Sequence, residues 1–448
     1  MTHRNWIGKL KKEYGETKTR QDVINHATEF YKELYKKYSE TNETEDSHKD
    51  FEEEEETVKP IDECEVLEHL KKLKTEKSPG PDNITNEILK IGAPLLLSHL
   101  TQVFNLSLKT EEVPKQWCNS DIVLLYKKGD PLDIGNYRPI SLLPSIYKLF
   151  TTILLSRITP IIDASQPIEQ AGFRSGFSTI DHIHTLEQIL EKYKEFNQPL
   201  YVGYVDYTKA FDTITHTSIW KALNVCGVSK TYINIIKNIY SKSTSRIKME
   251  NKGEQISIER CQTSHLRFAD DIIVFAKSAK ELEQMMQSLA YESKKCDLQM
   301  NANKTKVMTN STQRPVKVFG QQIDYIQEYV YLGKQISFNK NSNKEEVNRR
   351  INSTWKNEDI RRKTRLTDAL EQALRLKWKW AGHLSRYTDK RWSLQTTKWP
   401  AGKRSKGRPL KGWADGIKEL VGKDWLTLSQ NRDKWKELEE AFTRKGFV

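Results

Sequence analysis

The chain has 448 residues, 37% of them hydrophobic and 30% charged, with a formal net charge of +13. That length can hold two or three domains with cores of their own, and no run of eighteen apolar residues predicts a membrane span. Five cysteines lie more than thirty residues apart, a spacing that excludes a disulfide framework and a CxxC zinc site.

Taken in chain order, residues 1–40 read as helical, with Phe30, Leu34 and Tyr38 at helical spacing. The start, MTHRNWIGKLKKEYGE, has no apolar core of a signal peptide, so an intracellular protein, nuclear or cytoplasmic, is expected. Residues 41–58 are acidic and nearly free of large apolar side chains, the composition of a solvated linker, so 1–59 form an N-terminal helix and linker. From Pro60 a helix carries Val66, Leu67, Leu70 and Leu73 on one face and stops at SPGPDNI. A single further helix is predicted from Asn86 through GAPLLLSHLTQVFNLSL. DIVLLYKK then reads as a strand, GDPLDIGNYRPIS as a loop, and YKLFTTILLSRI as an amphipathic helix. Ser178 to Asp181 form a capping-box signature ahead of a helix with Ile183, Leu186, Ile189, Leu190 and Tyr193. LYVGYVDY and YIQEYVYLGKQI read as strand, AKELEQMMQSLAYESKKC as helix. Short strands alternating with helices predict an α+β protein with a mixed or antiparallel sheet.

Two strands carry carboxylates where strands rarely do. FADDII sets Asp270 and Asp271 inside an apolar run, and Asp206 follows Tyr201, Val202, Tyr204 and Val205. An ionised carboxylate on a buried strand is costly unless it is paired or binds metal. If FADDII bends into a hairpin whose tip lies beside the strand of Asp206, three hard oxygen ligands converge, the donor set that Mg²⁺ takes. Two such ions about 4 Å apart activate a hydroxyl and stabilise a leaving pyrophosphate. The plainer reading makes Asp-Asp a turn and Asp206 a strand-edge residue. Two embedded acidic sites 64 residues apart weigh against it.

These blocks resemble the reverse transcriptase of non-LTR, long interspersed retrotransposons. KSPGPDNITNEILK, YKKGDPLDIGNYRPISLLPSIYKLF and QAGFRSGFSTIDHI resemble the family's finger segments. YVDYTKAFD resembles motif A, FADD the Y/F-x-D-D box, MNANKTKVM motif D and YVYLGKQI motif E. The likeness runs from about Phe30 to Phe442 in family order. It implies a right-hand polymerase: fingers over 60–198, a palm with a ferredoxin-like antiparallel sheet over 199–338, and a shortened thumb or connector with a basic, Trp-rich helical region over 339–448. It implies RNA-directed DNA polymerase activity, with an RNA template, a DNA primer, deoxynucleoside triphosphates and two Mg²⁺ ions, Mn²⁺ being a substitute.

Position by position, the resemblance makes Asp206, Asp270 and Asp271 the metal ligands and Phe211 a gate against the 2′-hydroxyl. Arg138 and Lys127 or Lys128 become triphosphate contacts, and Lys304 the acid for pyrophosphate. Tyr331, Leu332 and Gly333 become the primer-grip hairpin. Phe211 reads equally as a core aromatic and Lys304 as a solvated turn lysine.

Two family segments are missing. Between Asp206 and Asp270 there is no Gln-Gly and no Ser-Pro, so the motif B helix that packs on the template–nucleotide pair is absent. Near Thr354 to Asn357 the thumb and connector are skipped. No endonuclease domain is expected in cis. These gaps predict impaired turnover, with a catalytically inactive nucleic-acid-binding remnant as the alternative.

The end of the chain is basic. Residues 356–448 carry 24 Lys+Arg against 12 Asp+Glu, leaving 49 against 48 in the first 355. A basic tail on a neutral body predicts a polyanionic partner, nucleic acid before membrane. Lys403, Arg404, Lys406, Arg408 and Lys411 are candidate phosphate contacts or a nuclear localisation signal. Seven of the eleven tryptophans fall in this region; Trp425 and Trp435, on helical stretches, are expected to pack a small core.

Overall fold

The computed structural model describes residues 7–12, 15–36, 58–127, 129–208, 210, 214–247, 257–259, 271–339, 346, 369–399 and 412–445. Up to the first carboxylate strand the elements are β1 (Lys11–Lys12), β2 (Gly15–Glu16), α1 (Arg20–Lys36), α2 (Glu63–Lys72), α3 (Asn86–Ile91), α4 (Ala93–Thr110), β3 (Asn119–Tyr126), β4 (Tyr137–Leu142), α5 (Ser145–Ser165), α6 (Thr179–Glu195) and β5 (Tyr201–Val205). Then come α7 (His216–Val225), α8 (Lys230–Lys242), β6 (Thr244–Ile247), β7 (Ser257–Glu259), β8 (Ile272–Ala276), α9 (Ala279–Lys294), β9 (Lys306–Thr309), β10 (Lys317–Val318), β11 (Gln321–Gln322), β12 (Asp324–Tyr325), β13 (Glu328–Tyr331) and β14 (Lys334–Ser337). The last are α10 (Ala369–Ser385), α11 (Trp392–Lys398), α12 (Asp415–Val421), α13 (Trp425–Leu428), α14 (Arg432–Glu437) and α15 (Glu439–Lys445). Helix and sheet are mixed throughout, as the alternation of patterns predicts.

The chain divides into two units, each drawn from separated stretches of sequence. The first comprises 1–166, 209–266 and 296–298. Its sheet has the order β4-β3-β6-β7, with β3 antiparallel to β4 and parallel to β6. Val23, Ile24, Ala27 and Tyr31 of α1 pack with Ile122 and Ile247 of this sheet. A larger core joins Val66 and Leu70 of α2, Leu100 and Phe104 of α4, Leu149, Phe150 and Ile153 of α5, and Ile235 and Ile239 of α8.

Several local expectations are corrected here. Residues 1–40 are not one helix, since β1 and β2 pair ahead of α1. The predicted long helix from Asn86 is two, parted at Gly92 just before Pro94, whose ring would clash with the preceding turn in a helix interior. YRPISL is not loop but strand β4; it is an edge strand, where Pro139 removes no ladder bond that the sheet needs. By length and composition alone helix α5 could cross a membrane, but Lys148, Arg157 and Asp163 interrupt its apolar residues, and Leu149, Phe150 and Ile153 are fully buried in the core.

One turn requires its glycine. A Cβ on Gly80, in SPGPDNI, would stand 2.5 Å from the carbonyl carbon of Leu143 and the nitrogen of Pro144. Backbone passes backbone there, and only glycine fits.

The second unit comprises 167–208, 267–295 and 299–448. Its sheet has the order β12-β9-β5-β8. β5 is antiparallel to both neighbours, whereas β12 joins β9 in parallel, so the sheet is mixed at one edge and not wholly antiparallel. Helix α9 covers one face: Met286 and Leu282 approach Gly203 so closely that a Cβ there would sit 3.0 Å from Met286 Sδ and 3.2 Å from Leu282 Cδ1. The other face of β5 presents Val202 and Tyr204 to Leu186 and Leu190 of α6 and to Tyr331 and Ile336 of the β13–β14 hairpin.

Candidate active site

Period two along β5 places Val202, Tyr204 and Asp206 on one face. Across the antiparallel ladder Val202 opposes Phe275, Tyr204 opposes Ile273 and Val205 opposes Ile272. The next step of that register sets Asp206 opposite Asp271, both on the face of Tyr204, at the ends of adjacent strands. Strands β5 and β8 are thus neighbours, with Asp206 and Asp271 at their adjoining ends. Asp270 and the residues leading into it lie outside the described residues.

The loop between α9 and β9 closes under Asp206. Asn301 N donates to the Asp206 carbonyl at 2.8 Å, and Asp206 N donates to Thr305 Oγ1 at 3.3 Å. Within the loop Lys304 N donates to Asn301 Oδ1 at 3.2 Å, a local turn that orients the lysine. Lys304 Nζ then lies 3.6 Å from Asp206 Oδ1. That separation is an ion pair too long for a hydrogen bond. Asp206 Oδ1 is itself buried and has no hydrogen-bond partner, while Asp271 is exposed.

Over the carboxylates stands the β13–β14 hairpin. Tyr329 stacks on Tyr204 with ring centroids 4.2 Å apart. Burial, followed by the negative charge of Asp206 and Asp271, pushes the Tyr329 phenol up, and burial with the charge of Asp271 does the same to Tyr331. Both therefore stay neutral hydroxyls beside the carboxylates. The turn at Leu332 and Gly333 has φ of +46° and +81°, the left-handed pair that a two-residue hairpin uses.

Helix α6 holds this hairpin on one side. Tyr331 Oη lies 3.2 Å from His182 Nδ1, and Lys334 Nζ 2.5 Å from Glu187 Oε1. Along the same helix Asp181 accepts from Ser393 Oγ at 2.8 Å, His184 Nε2 lies 2.8 Å from Thr397 Oγ1, and Glu191 accepts from Trp413 N at 3.0 Å. Asp181 also caps its own helix, accepting from Ser178 N at 3.0 Å as its sequence signature predicts. The C-terminal region thus docks on the helix that carries the hairpin. Its own core stacks Trp378 on Trp435 at 3.8 Å with Trp425 and Phe442 alongside, so these tryptophans are structural.

Of the other residues singled out in the sequence, Lys127 and Arg138 lie together in the first unit, at the end of β3 and on β4, and Arg138 is exposed. Lys128, Phe211, Lys403, Arg404, Lys406, Arg408 and Lys411 lie outside the described residues. Sequence reasoning did not single out Tyr329, Thr305, Asn301 or His182. Only Tyr329 left a signal, the alternation Tyr329-Val330-Tyr331 that sends both rings to one face. Among the described residues there is no cluster of three or more His, Cys, Asp or Glu able to hold a metal. The two described carboxylates nevertheless suit a divalent cation, because the buried Asp206 Oδ1 lacks the partner that such an oxygen otherwise requires.

The strands with carboxylates at their ends fall in a stretch that matches a reverse transcriptase (RNA-dependent DNA polymerase) family model, over residues 125–261 and 248–323. Over those residues the chain is similar to that family, and the similar curated proteins come from non-LTR retrotransposons. It is 37% identical over 162 residues to a probable RNA-directed DNA polymerase from transposon X-element of Drosophila melanogaster, covering 35% of this chain and 18% of that one. It is 33% identical over 181 residues to the corresponding protein of transposon BS from the same organism, covering 38% and 20%. To the polyprotein of type-1 retrotransposable element R2 of Popillia japonica it is 28% identical over 172 residues, covering 38% and 23%. The chain spans about a fifth of the length of these relatives. Among solved structures it is similar to a telomerase from Candida tropicalis, with a TM-score of 0.37 and 13% identity over 67% of this chain and 54% of that one.

Proposed function

We propose that the chain is by descent an RNA-directed DNA polymerase that adds deoxynucleotides to a primer 3′-hydroxyl on an RNA template, with slow turnover. The observation that carries this reading is the pairing of Val205 with Ile272, which leaves Asp206 and Asp271 at the adjoining ends of β5 and β8, with Asp206 Oδ1 buried and without a hydrogen bond. Asp206, Asp271 and, by its place in the sequence, Asp270 would hold Mg²⁺ or Mn²⁺, which when bound activates the attacking hydroxyl and steadies the leaving pyrophosphate. Lys304, tethered beside Asp206, is the group to protonate pyrophosphate. Tyr331, Leu332 and Gly333 position the primer end. Arg138 with Lys127 and Lys128 grips the triphosphate, Phe211 excludes ribose, and the basic run from Lys403 to Lys411 adds sequence-independent phosphate contact. We assign the fingers to 60–198 and the palm to 199–338, in an intracellular protein.

Slow turnover follows from the absent motif B segment and shortened thumb. The same gaps favour a second reading, a binding remnant without catalysis. Primer extension on an RNA template with Mg²⁺ separates the two, comparing wild type with Asp206→Asn and Asp270→Asn. The proposal expects slow, distributive extension that each substitution lowers by at least ~100-fold, the size of effect expected for groups that stabilise a transition state. No extension with RNA binding retained would move the chain to the second reading.

A further inference from the structure

We infer that the β10–β11 hairpin and the adjoining end of α9 form an accessory stacking site for unpaired bases of single-stranded RNA, on the face of the sheet opposite the carboxylates. In β10 and β11 Val318 pairs with Gln321, so Phe319 and Gly320 form a two-residue turn, with φ of +48° and +79°. Such a turn selects Asn-Gly or Gly-Gly, because both central residues must be left-handed. A bulky ring at that position is an outlier that folding alone does not favour.

The ring is also displayed. Phe319 is 55% exposed, and Tyr291 on α9 is 59% exposed. The hairpin is held rigidly beneath them: Lys317 N donates to Glu283 Oε2 at 2.7 Å and Phe319 N to Gln287 Oε1 at 2.8 Å. Between α9 and the hairpin opens a surface cavity of about 540 Å³, into which Gln284, Gln287, Tyr291 and Lys317 face.

Charge identifies the occupant. Lys294 Nζ lies 6.0 Å from the Phe319 ring centroid. Neither Lys294 nor Lys317 has a carboxylate partner among the described residues, whereas Glu283 is engaged by backbone and Glu292 by Lys295. Exposed aromatic faces flanked by unpaired ammonium groups stack bases and hold phosphates, and side-chain amides beside them can meet a base edge. An apolar protein partner would need neither the lysines nor the amides.

The test uses the full chain and a short single-stranded oligouridylate carrying 5-bromouridine, crosslinked by long-wavelength light and mapped by mass spectrometry. The inference rests on the chain handling RNA but not on its polymerising, so an Asp206→Asn chain should crosslink as wild type does. The peptides bearing Phe319 or Tyr291 should be labelled. Phe319→Gly should cut that yield about tenfold while leaving the melting temperature unchanged or higher, because glycine relieves the turn. Lys294→Glu should lower affinity and flatten its salt dependence. Labelling that misses both peptides, or survives Phe319→Gly, would overturn the inference. So would a lower melting temperature for Phe319→Gly, which would make the ring structural. Self-association lost in that variant, with no labelling of the tip, would assign the rings to a second copy of the chain and overturn it equally.

Discussion

Asp121 and Asp206 are both carboxylates on sheet strands, and their surroundings differ in a way that separates structure from chemistry. Asp121 is fully buried on β3, and the guanidinium of Arg246 on β6 answers it. Asp206 has only the distant Lys304 ammonium, and its buried oxygen accepts nothing. A buried carboxylate oxygen that accepts no hydrogen bond is better placed to hold a cation than to brace the scaffold. His184 illustrates a different cost. Burial, with the charges of Lys334 and Lys377, pushes its imidazole down to about 3. An unfolded imidazole takes up its proton near 6.5, so between those values the unfolded chain binds the extra proton and stability falls as pH falls. That window should cost about 1 kcal/mol per pH unit, and His184→Gln should remove this part of the acid sensitivity while keeping a polar contact to Thr397. Acid titrations of tryptophan fluorescence check it, since Trp413 lies 4.6 Å from the His184 ring; identical acid limbs in the two proteins would contradict the assignment. Asp206 and Asp271 were legible because carboxylates inside apolar strands violate a strong pattern. Thr305 and Asn301 were not, because a polar residue in a loop violates nothing.

Elements position the site through close approach. Gly203 lets α9 lie against the middle of β5, directly behind the face that ends in Asp206. Gly203→Val should force Met286 and Leu282 away and cost about 2 kcal/mol by overpacking. The entropy lost by the unfolded chain offsets only about 0.4–1 kcal/mol of that. Urea denaturation measures the balance, and a stabilised variant would refute the packing account. Strands β5, β8, β13 and β14 and helices α6 and α9 were readable from periodicity, each keeping one pattern over its whole length. Strand β4 was not, because Gly135 just ahead of it and Pro139 within it imitate a loop, and its place at the sheet edge makes Pro139 tolerable. The left-handed turn at Leu332 was hidden as well, since leucine is not the residue that such a turn ordinarily takes.

At the scale of the molecule, what could not be read was which distant segments meet. Asp181 and Ser393 lie 2.8 Å apart across more than two hundred residues of sequence, as do His184 and Thr397. The tryptophan core of the C-terminal region was expected from its helical stretches, but its seat on α6, the helix that also fixes the hairpin over the carboxylates, was not. Polar networks of this kind have no period, so no pattern along the chain announces them. The organisation gives the whole second unit one centre, the strand ends of β5 and β8, and the account stands on those carboxylates being metal ligands. Mn²⁺ binding to the intact chain, followed by the loss of its free-ion paramagnetic resonance signal, tests this apart from turnover. Wild type should take up Mn²⁺, and Asp206→Asn and Asp271→Asn should each lose that uptake while keeping the cooperative melting transition of a folded chain. Equal uptake by all three proteins would contradict the central claim.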